Sequence, residues 1–453
     1  MVANIYLKSS ISNSIGLLLA MATVLFSQGI NPSYNWIVQD GFKAVYTYID
    51  QQNNVSGMQQ FKNAGLNSLI IHFMGRTESS AAGFPVACDT WKTLGNATGL
   101  KLFMSITFGS DERYGNTEFG EFVFPDGGTM NAPCPQSQQY WERVYGDRAK
   151  ICAQKGFDGC LVDVEMYSAD QTRFYHEPCI CDSCWSRYCT QNNKTQYLET
   201  AVLNRGALLN AQGLLTQYKD FQESRLIGLL QGIRASIDSI NPGFMLGYLY
   251  YFEEIYGLTK GLGTTQAPAL ILDEYSYGGV PAGRDGREYN YLGSIYSGSY
   301  PGLLMPGFSP NELSPSDLVQ SVLYFNTIKY QNHSMSGFWF YSSGSFLNDS
   351  LVNGYGRVTG YSKEQYIQAL RDLCDAYTGP SGMPTTALRN PRSKNDSPRN
   401  ALFNNAIILQ PPEIFDTQGR SIIDQRRNYT VPTSSRVVIE RSRNGTSRVR
   451  IAP

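Results

Sequence analysis

Phe157–Tyr167 reads FDGCLVDVEMY. In an extended chain, successive side chains point to opposite faces. Gly159, Leu161, Asp163, Glu165 and Tyr167 then share one face, and Cys160, Val162, Val164 and Met166 share the other. The second face is wholly apolar and suits a covering layer of helices. The first ends in two carboxylates and a phenol. A strand of this kind belongs in a (β/α)8 barrel, where functional groups gather at the C-terminal ends of the strands.

Seven further runs share its texture. KAVYTYI (Lys43–Ile49), LNSLIIHFM (Leu66–Met74) and KLFMSITFG (Lys101–Gly109) precede it, which makes FDGCLVDVEMY the fourth strand. FMLGYLYYF (Phe244–Phe252), APALILDEYSY (Ala267–Tyr277), YPGLLMPGF (Tyr300–Phe308) and SGFWFYSS (Ser336–Ser343) follow it. Helical patterns lie between them at Ser137–Lys155, Thr200–Ile240, Pro315–Gln331 and Lys363–Tyr377. Eight strands with intervening helices predict an α/β fold, a (β/α)8 TIM barrel over residues 30–380. The link between the sixth and seventh strands, rich in Gly and Tyr, reads as poorly helical.

Residues 381–453 differ. From 389 onward they hold twelve Lys and Arg against five Asp and Glu. Short alternating runs (NAIIL, SSRVVIE, SRVRIA) between Pro, Gly and Asn predict a small basic C-terminal β appendage, with an unstructured tail as the alternative. At the other end, Lys8 precedes an apolar run from Ile15 to Phe26, then Ser27-Gln28-Gly29. This pattern reads as a signal peptide over residues 1–29, so the expected location is secreted, extracellular or periplasmic. The run is short for a bilayer span, and membrane contact is expected only if the segment is retained.

The chain of 453 residues has 37 basic and 38 acidic side chains, 17% charged residues and 13% aromatics. Without a cationic surplus, nucleic acid is excluded as a partner held by net charge. The aromatic content excludes a largely disordered chain. Thirty tyrosines suit a cleft for flat polar ligands such as sugars.

Asp163 and Glu165 on one face of a buried strand repel, which raises one pKa and readies that carboxyl as a general acid. Asp273 and Glu274 close the sixth strand; being adjacent, they face opposite ways, and either one can be the partner carboxylate that glycosidic cleavage requires. His72 ends the second strand, and Trp339 and Tyr341 share a face of the last. Together with Tyr167, these are the expected substrate contacts.

Nine cysteines include Cys179, Cys181 and Cys184 in the loop after the fourth strand. With Cys134 they supply four sulfurs, enough to close a structural zinc site; disulfides are the competing chemistry. No organic cofactor is expected.

Cys134-Pro135-Gln136-Ser137, a strand ending in Glu165, and then CICDSC (Cys179–Cys184) resemble glycoside hydrolase family 42, the β-galactosidases of clan A. The resemblance implies zinc at Cys134, Cys179, Cys181 and Cys184 and makes Glu165 the general acid/base. Two positions depart from the family pattern. Val164 stands where clan A has Asn, and GLLMPGF carries no carboxylate where the seventh strand should supply the nucleophile. Asp158, Gly159, Asp163 and Glu165 are also similar, less closely, to the fourth-strand signature of family 18 chitinases. Carboxylates on strands four and six are similar to the α-galactosidase clan. The expected activity is an exported glycoside hydrolase acting on an oligosaccharide or polysaccharide, with Glu165 as acid, Asp163 tuning it, and Asp273 or Glu274 as nucleophile or base. The alternative is a carbohydrate-binding barrel without catalysis.

Overall fold

A computed structural model describes residues 30–48, 54–73, 83–108, 119–165, 170–251, 257–297, 302–331, 333–348, 356–380, 436–441 and 447–452. The 1–29 segment, NAIIL and Tyr167 lie outside the described residues. Among the described residues, no helix is long and apolar enough to cross a membrane. The chain divides into two compact units, 1–386 and 387–453. In the second, Arg436–Arg441 and Ser447–Ala452 pair as two antiparallel strands with Ile439 opposite Val449.

In the first unit, eight parallel strands close into a barrel: β1 (Phe42–Tyr48), β2 (Ser68–Phe73), β3 (Lys101–Thr107), β4 (Gly159–Asp163), β5 (Met245–Tyr250), β6 (Ala269–Asp273), β7 (Gly302–Phe308) and β8 (Gly337–Phe340). Seven of the eight strands are shorter than their runs in the sequence, and Glu165 after β4, Glu274 after β6 and Tyr341 after β8 lie beyond the ladder at the barrel mouth.

Strand alternation builds two cores. Tyr46, Ile70, Phe103, Leu161, Leu249, Leu272, Met305 and Trp339 fill the barrel interior. Val45, Ile71, Met104, Val162, Leu246, Ile271, Leu304 and Phe340 pack outward into the helix layer. Removing one such large side chain from water contributes about 1.5–3 kcal/mol. Large groups sit where small ones make room. A Cβ at Gly307 would come within 2.6 Å of the Trp339 indole, and one at Gly159 within 2.6 Å of the Phe103 ring. The bottom is closed by the short helix Asn35–Asp40, whose Trp36 ring lies 6.0 Å from Phe42 and 6.5 Å from Phe103. The opposite, C-terminal end is where polar groups replace this packing.

The helices follow the sequence patterns with three differences. Pro315–Gln331 is helical only from Pro315 to Phe325, and Lys329–Tyr330 pairs instead with His333–Ser334 as two short antiparallel strands. Thr200–Ile240 resolves into Val202–Ala211 and Leu215–Asp238, separated at Gly213, where φ is +63°. The chain after β6 forms a full helix, Asp285–Ser297, despite its Gly and Tyr content. Acidic Asp285 and Glu288 occupy its first turn, which the helix dipole favours, and Leu292 and Ile295 bury its inner face. Packing overrides weak propensity here.

Candidate active site

Register brings the strand ends together. Tyr48 lies opposite His72, Thr107 opposite Asp163, and Tyr250 opposite Asp273. Leu161 belongs to the interior core, so Asp163 and Glu165, two and four residues on, face the mouth. Val164, between them, is buried in the helix layer. On β6, Leu270 and Leu272 are interior, whereas Ala269 and Ile271 face outward. Glu274 therefore enters the mouth and Asp273 faces the helices.

One carboxyl oxygen from each of Asp163, Glu165 and Glu274 lies within 4.8 Å of the other two. Asp163 accepts the Glu165 backbone N–H at 3.1 Å, which fixes the turn out of β4. Glu274 is 2% exposed and its backbone N–H donates to the Tyr250 carbonyl at 2.9 Å. Burial, followed by the charges of Glu165 and Asp163, pushes the Glu274 carboxyl well above the usual range, which favours its protonated form. Glu165 is the more solvent-exposed of the two.

Beside the acids, Asp163 meets a polar chain across β1 and β2. The Tyr46 hydroxyl donates to Asp163 Oδ2 at 3.4 Å and contacts His72 Nδ1, and His72 Nε2 lies 3.3 Å from Thr107 Oγ1. His72 is 7% exposed, and both ring nitrogens face protein groups. Burial and the Asp163 charge push the Tyr46 phenol up, keeping it a neutral donor.

Opposite the acids stands an aromatic wall. Tyr277 stacks on Tyr341 with centroids 5.6 Å apart and planes at 25°. The Tyr341 and Tyr48 hydroxyls are in contact. Trp339 is fully buried below them, 5.5 Å from Tyr277 and 6.0 Å from Tyr46. The exposed edge of the wall thus belongs to Tyr48, Tyr277 and Tyr341, with Trp339 as their support. Ser276 holds Tyr277 there by bonding the Gly307 N–H and carbonyl, both at 2.9 Å. Tyr46 and Tyr48 could have been found from alternation alone, since both continue the face of Ala44. Tyr277 could not, because it lies in a turn of the chain where strand alternation has ended.

Cys134, Cys179, Cys181 and Cys184 converge. Sγ of Cys134 lies 3.5 Å from Cys179, 3.4 Å from Cys184 and 3.8 Å from Cys181, and no cysteine among the described residues is in a disulfide. The cluster is packed against the helix Leu215–Asp238: Tyr218 OH donates to the Cys179 carbonyl at 2.8 Å, and Gln222 brackets Cys179 through both its N–H and its C=O. From this loop Tyr175 OH reaches back to the Val164 carbonyl at 2.9 Å, one residue before Glu165.

No protein-family model matches the chain, and no curated protein matches it. Solved structures similar to it include the catalytic domain of β-amylase from Paenibacillus polymyxa (13% identity, TM-score 0.45, 74% of this chain and 99% of that one). The β-galactosidase from Rahnella sp. R3 is similar at 13% identity and TM-score 0.48, over 76% of this chain and 58% of that one. A GH113 β-1,4-mannanase is similar at 10% identity and TM-score 0.40, over 75% and 99%. At these values the likeness reaches no further than the barrel, and the chemistry rests on this chain's own side chains.

Proposed function

We propose that the chain is a glycoside hydrolase whose reacting pair is Glu165 and Glu274. The observation that carries this reading is the meeting of these carboxyls, with Asp163, within 4.8 Å at the C-terminal mouth of the barrel. Opposite them is an aromatic wall suited to a sugar ring. A separation this short lies nearer the roughly 5–5.5 Å of retaining pairs than the about 6.5–9.5 Å of inverting ones, so the geometry favours a double displacement with retention of configuration. Of the two, Glu274 is buried and holds a proton, which suits delivery to the leaving oxygen. Glu165, the more exposed carboxylate, is then placed to attack the anomeric carbon. This reverses the role expected for Glu165 from the family 42 resemblance, and burial is the reason. Asp163 orients Glu165 through its backbone and links it to Tyr46 and His72. Val164 and the acid-free seventh strand favour a carbohydrate-binding barrel without catalysis; Glu274, just after β6, supplies a second carboxyl and favours the enzyme.

The four cysteines fit a structural zinc. Sulfurs bound tetrahedrally at about 2.3 Å from one ion sit roughly 3.7 Å apart, close to the separations seen here. Zinc would offset the repulsion of buried thiolates and pin the loop that holds the end of β4. Four protein ligands leave no open position, so the metal takes no part in turnover. Export, expected from the N-terminal segment, would place a glycan substrate outside the cytoplasm. The test is a screen of the purified protein against oligosaccharides and polysaccharides, with Glu165→Gln and Glu274→Gln in parallel. Turnover lost in both variants supports the reading; turnover retained in either one overturns the assignment of that residue.

A further inference from the structure

A second buried acidic pair stands directly behind the first, on the outer wall of β6. Asp273 and Glu288, the latter on the helix Asp285–Ser297, are both 0% exposed. Among the described residues, neither oxygen of Glu288 has a hydrogen-bond partner, nor has Asp273 Oδ2. Asp273 Oδ1 accepts the Tyr275 backbone N–H at 3.2 Å and lies 3.8 Å from Arg287 Nη2. Arg287 also donates to the Tyr251 carbonyl at 3.1 Å, and its guanidinium lies over the Tyr275 ring at 4.3 Å. Arg287 therefore ties together the ends of β5 and β6, the two segments that set the backbone of Glu274.

We propose that Asp273, Glu288 and Arg287 are positioning residues for Glu274: a carboxyl pair sharing one proton, with an arginine counter-ion, that fixes the end of β6 and sets the charge behind the proton carrier. The proposal rests on Glu274 being that carrier. Two carboxyls sealed from water cannot both ionise beside a single arginine, so one keeps its proton. Burial and the Asp273 charge push Glu288 well up, with Arg287 opposing, so the proton resides on Glu288. Asp273 then accepts from Glu288 on one oxygen and faces Arg287 with the other. The charged and titratable groups facing this pair are Tyr250 from β5 and Arg287 from the helix. Those facing Glu274 are Asp163 and Glu165 from β4, Tyr46 from β1, and Asp273 itself. Asp273 is thus the point at which the outer pair acts on the inner one.

Infrared difference spectra over a pH titration test this without requiring turnover, because a protonated carboxyl has a carbonyl band that a carboxylate lacks. The wild-type protein should show two buried protonated carboxyls at neutral pH, one lost in Glu288→Gln and the other in Glu274→Gln. Removing the pair's negative charge with Asp273→Asn combined with Glu288→Gln should lower the titration of Glu274 by roughly one pH unit, and removing the positive charge with Arg287→Gln should raise it. General loosening of the structure would move both variants the same way, and melting temperatures recorded alongside identify a variant that has lost its fold. Both bands persisting in Glu288→Gln, or the two charge variants shifting Glu274 in the same direction or not at all, overturns the proposal. Opposite shifts in a protein that hydrolyses no glycan uphold it while overturning the glycosidase reading.

Discussion

Asp273 and Glu274 are consecutive residues facing opposite sides of the same barrel wall: Glu274 meets Glu165 in the mouth, and Asp273 meets Glu288 and Arg287 in the helix layer. One peptide unit separates a proton-bearing carboxyl in the mouth from a buried ion pair. The strand end carries both the proposed chemistry and its support.

If Glu274 delivers the proton, its loss should matter least when the leaving group needs none. Glu274→Gln should lose at least a hundredfold in kcat/KM on natural glycosides yet keep most of its rate on dinitrophenyl glycosides. Glu165→Gln should be inactive on both. The reverse pattern on the activated substrate would restore Glu165 as the acid.

The raised Glu274 carboxyl also makes stability depend on pH. Its folded-state pKa lies above the ordinary 4.5, so the folded state holds the proton more tightly than the unfolded one. Its stabilising effect is full below about pH 4.5 and is lost as pH rises through the raised value. Glu274→Gln, permanently neutral, should therefore melt a few degrees above wild type at pH 8 and within a degree of it at pH 4. An equal gain at both pH values would show that charge is not the cause.

Zinc, if it closes the cysteine cluster, contributes folding free energy. Metal analysis should find one zinc per chain, lost in Cys179→Ser. Prolonged chelation should lower the melting temperature, with activity falling only as the fold is lost. Absence of zinc, together with disulfide linkage among these four cysteines, would reject the site.

The aromatic wall separates binding from support. Tyr277→Ala should raise KM several-fold with little change in melting temperature, because its ring is partly exposed at the opening. Trp339→Ala should cost about 3–5 kcal/mol of stability, because its indole is fully buried. Titration with the best substrate and a thermal melt of each variant check the two expectations.

The period-two alternation of FDGCLVDVEMY was enough to place Asp163 and Glu165 on one face and Val164 on the other, because the helix-facing positions are uniformly apolar. The spacing of Cys179, Cys181 and Cys184 was enough to bring three sulfurs into one loop. The face of ALILDE was not legible. Barrel strands are buried on both sides, so the residues around Asp273 and Glu274 are apolar whichever way they point. Alternation yields only the relation between neighbours, and closure of the barrel supplies the absolute direction. Glu288 is not legible for a related reason: its helix has a Tyr- and Gly-rich sequence, and its proximity to Asp273 arises only when that helix folds back on β6. Local periodicity could thus specify which side chains share a face. Which faces share a space was decided by the packing of strands and helices far apart in the chain.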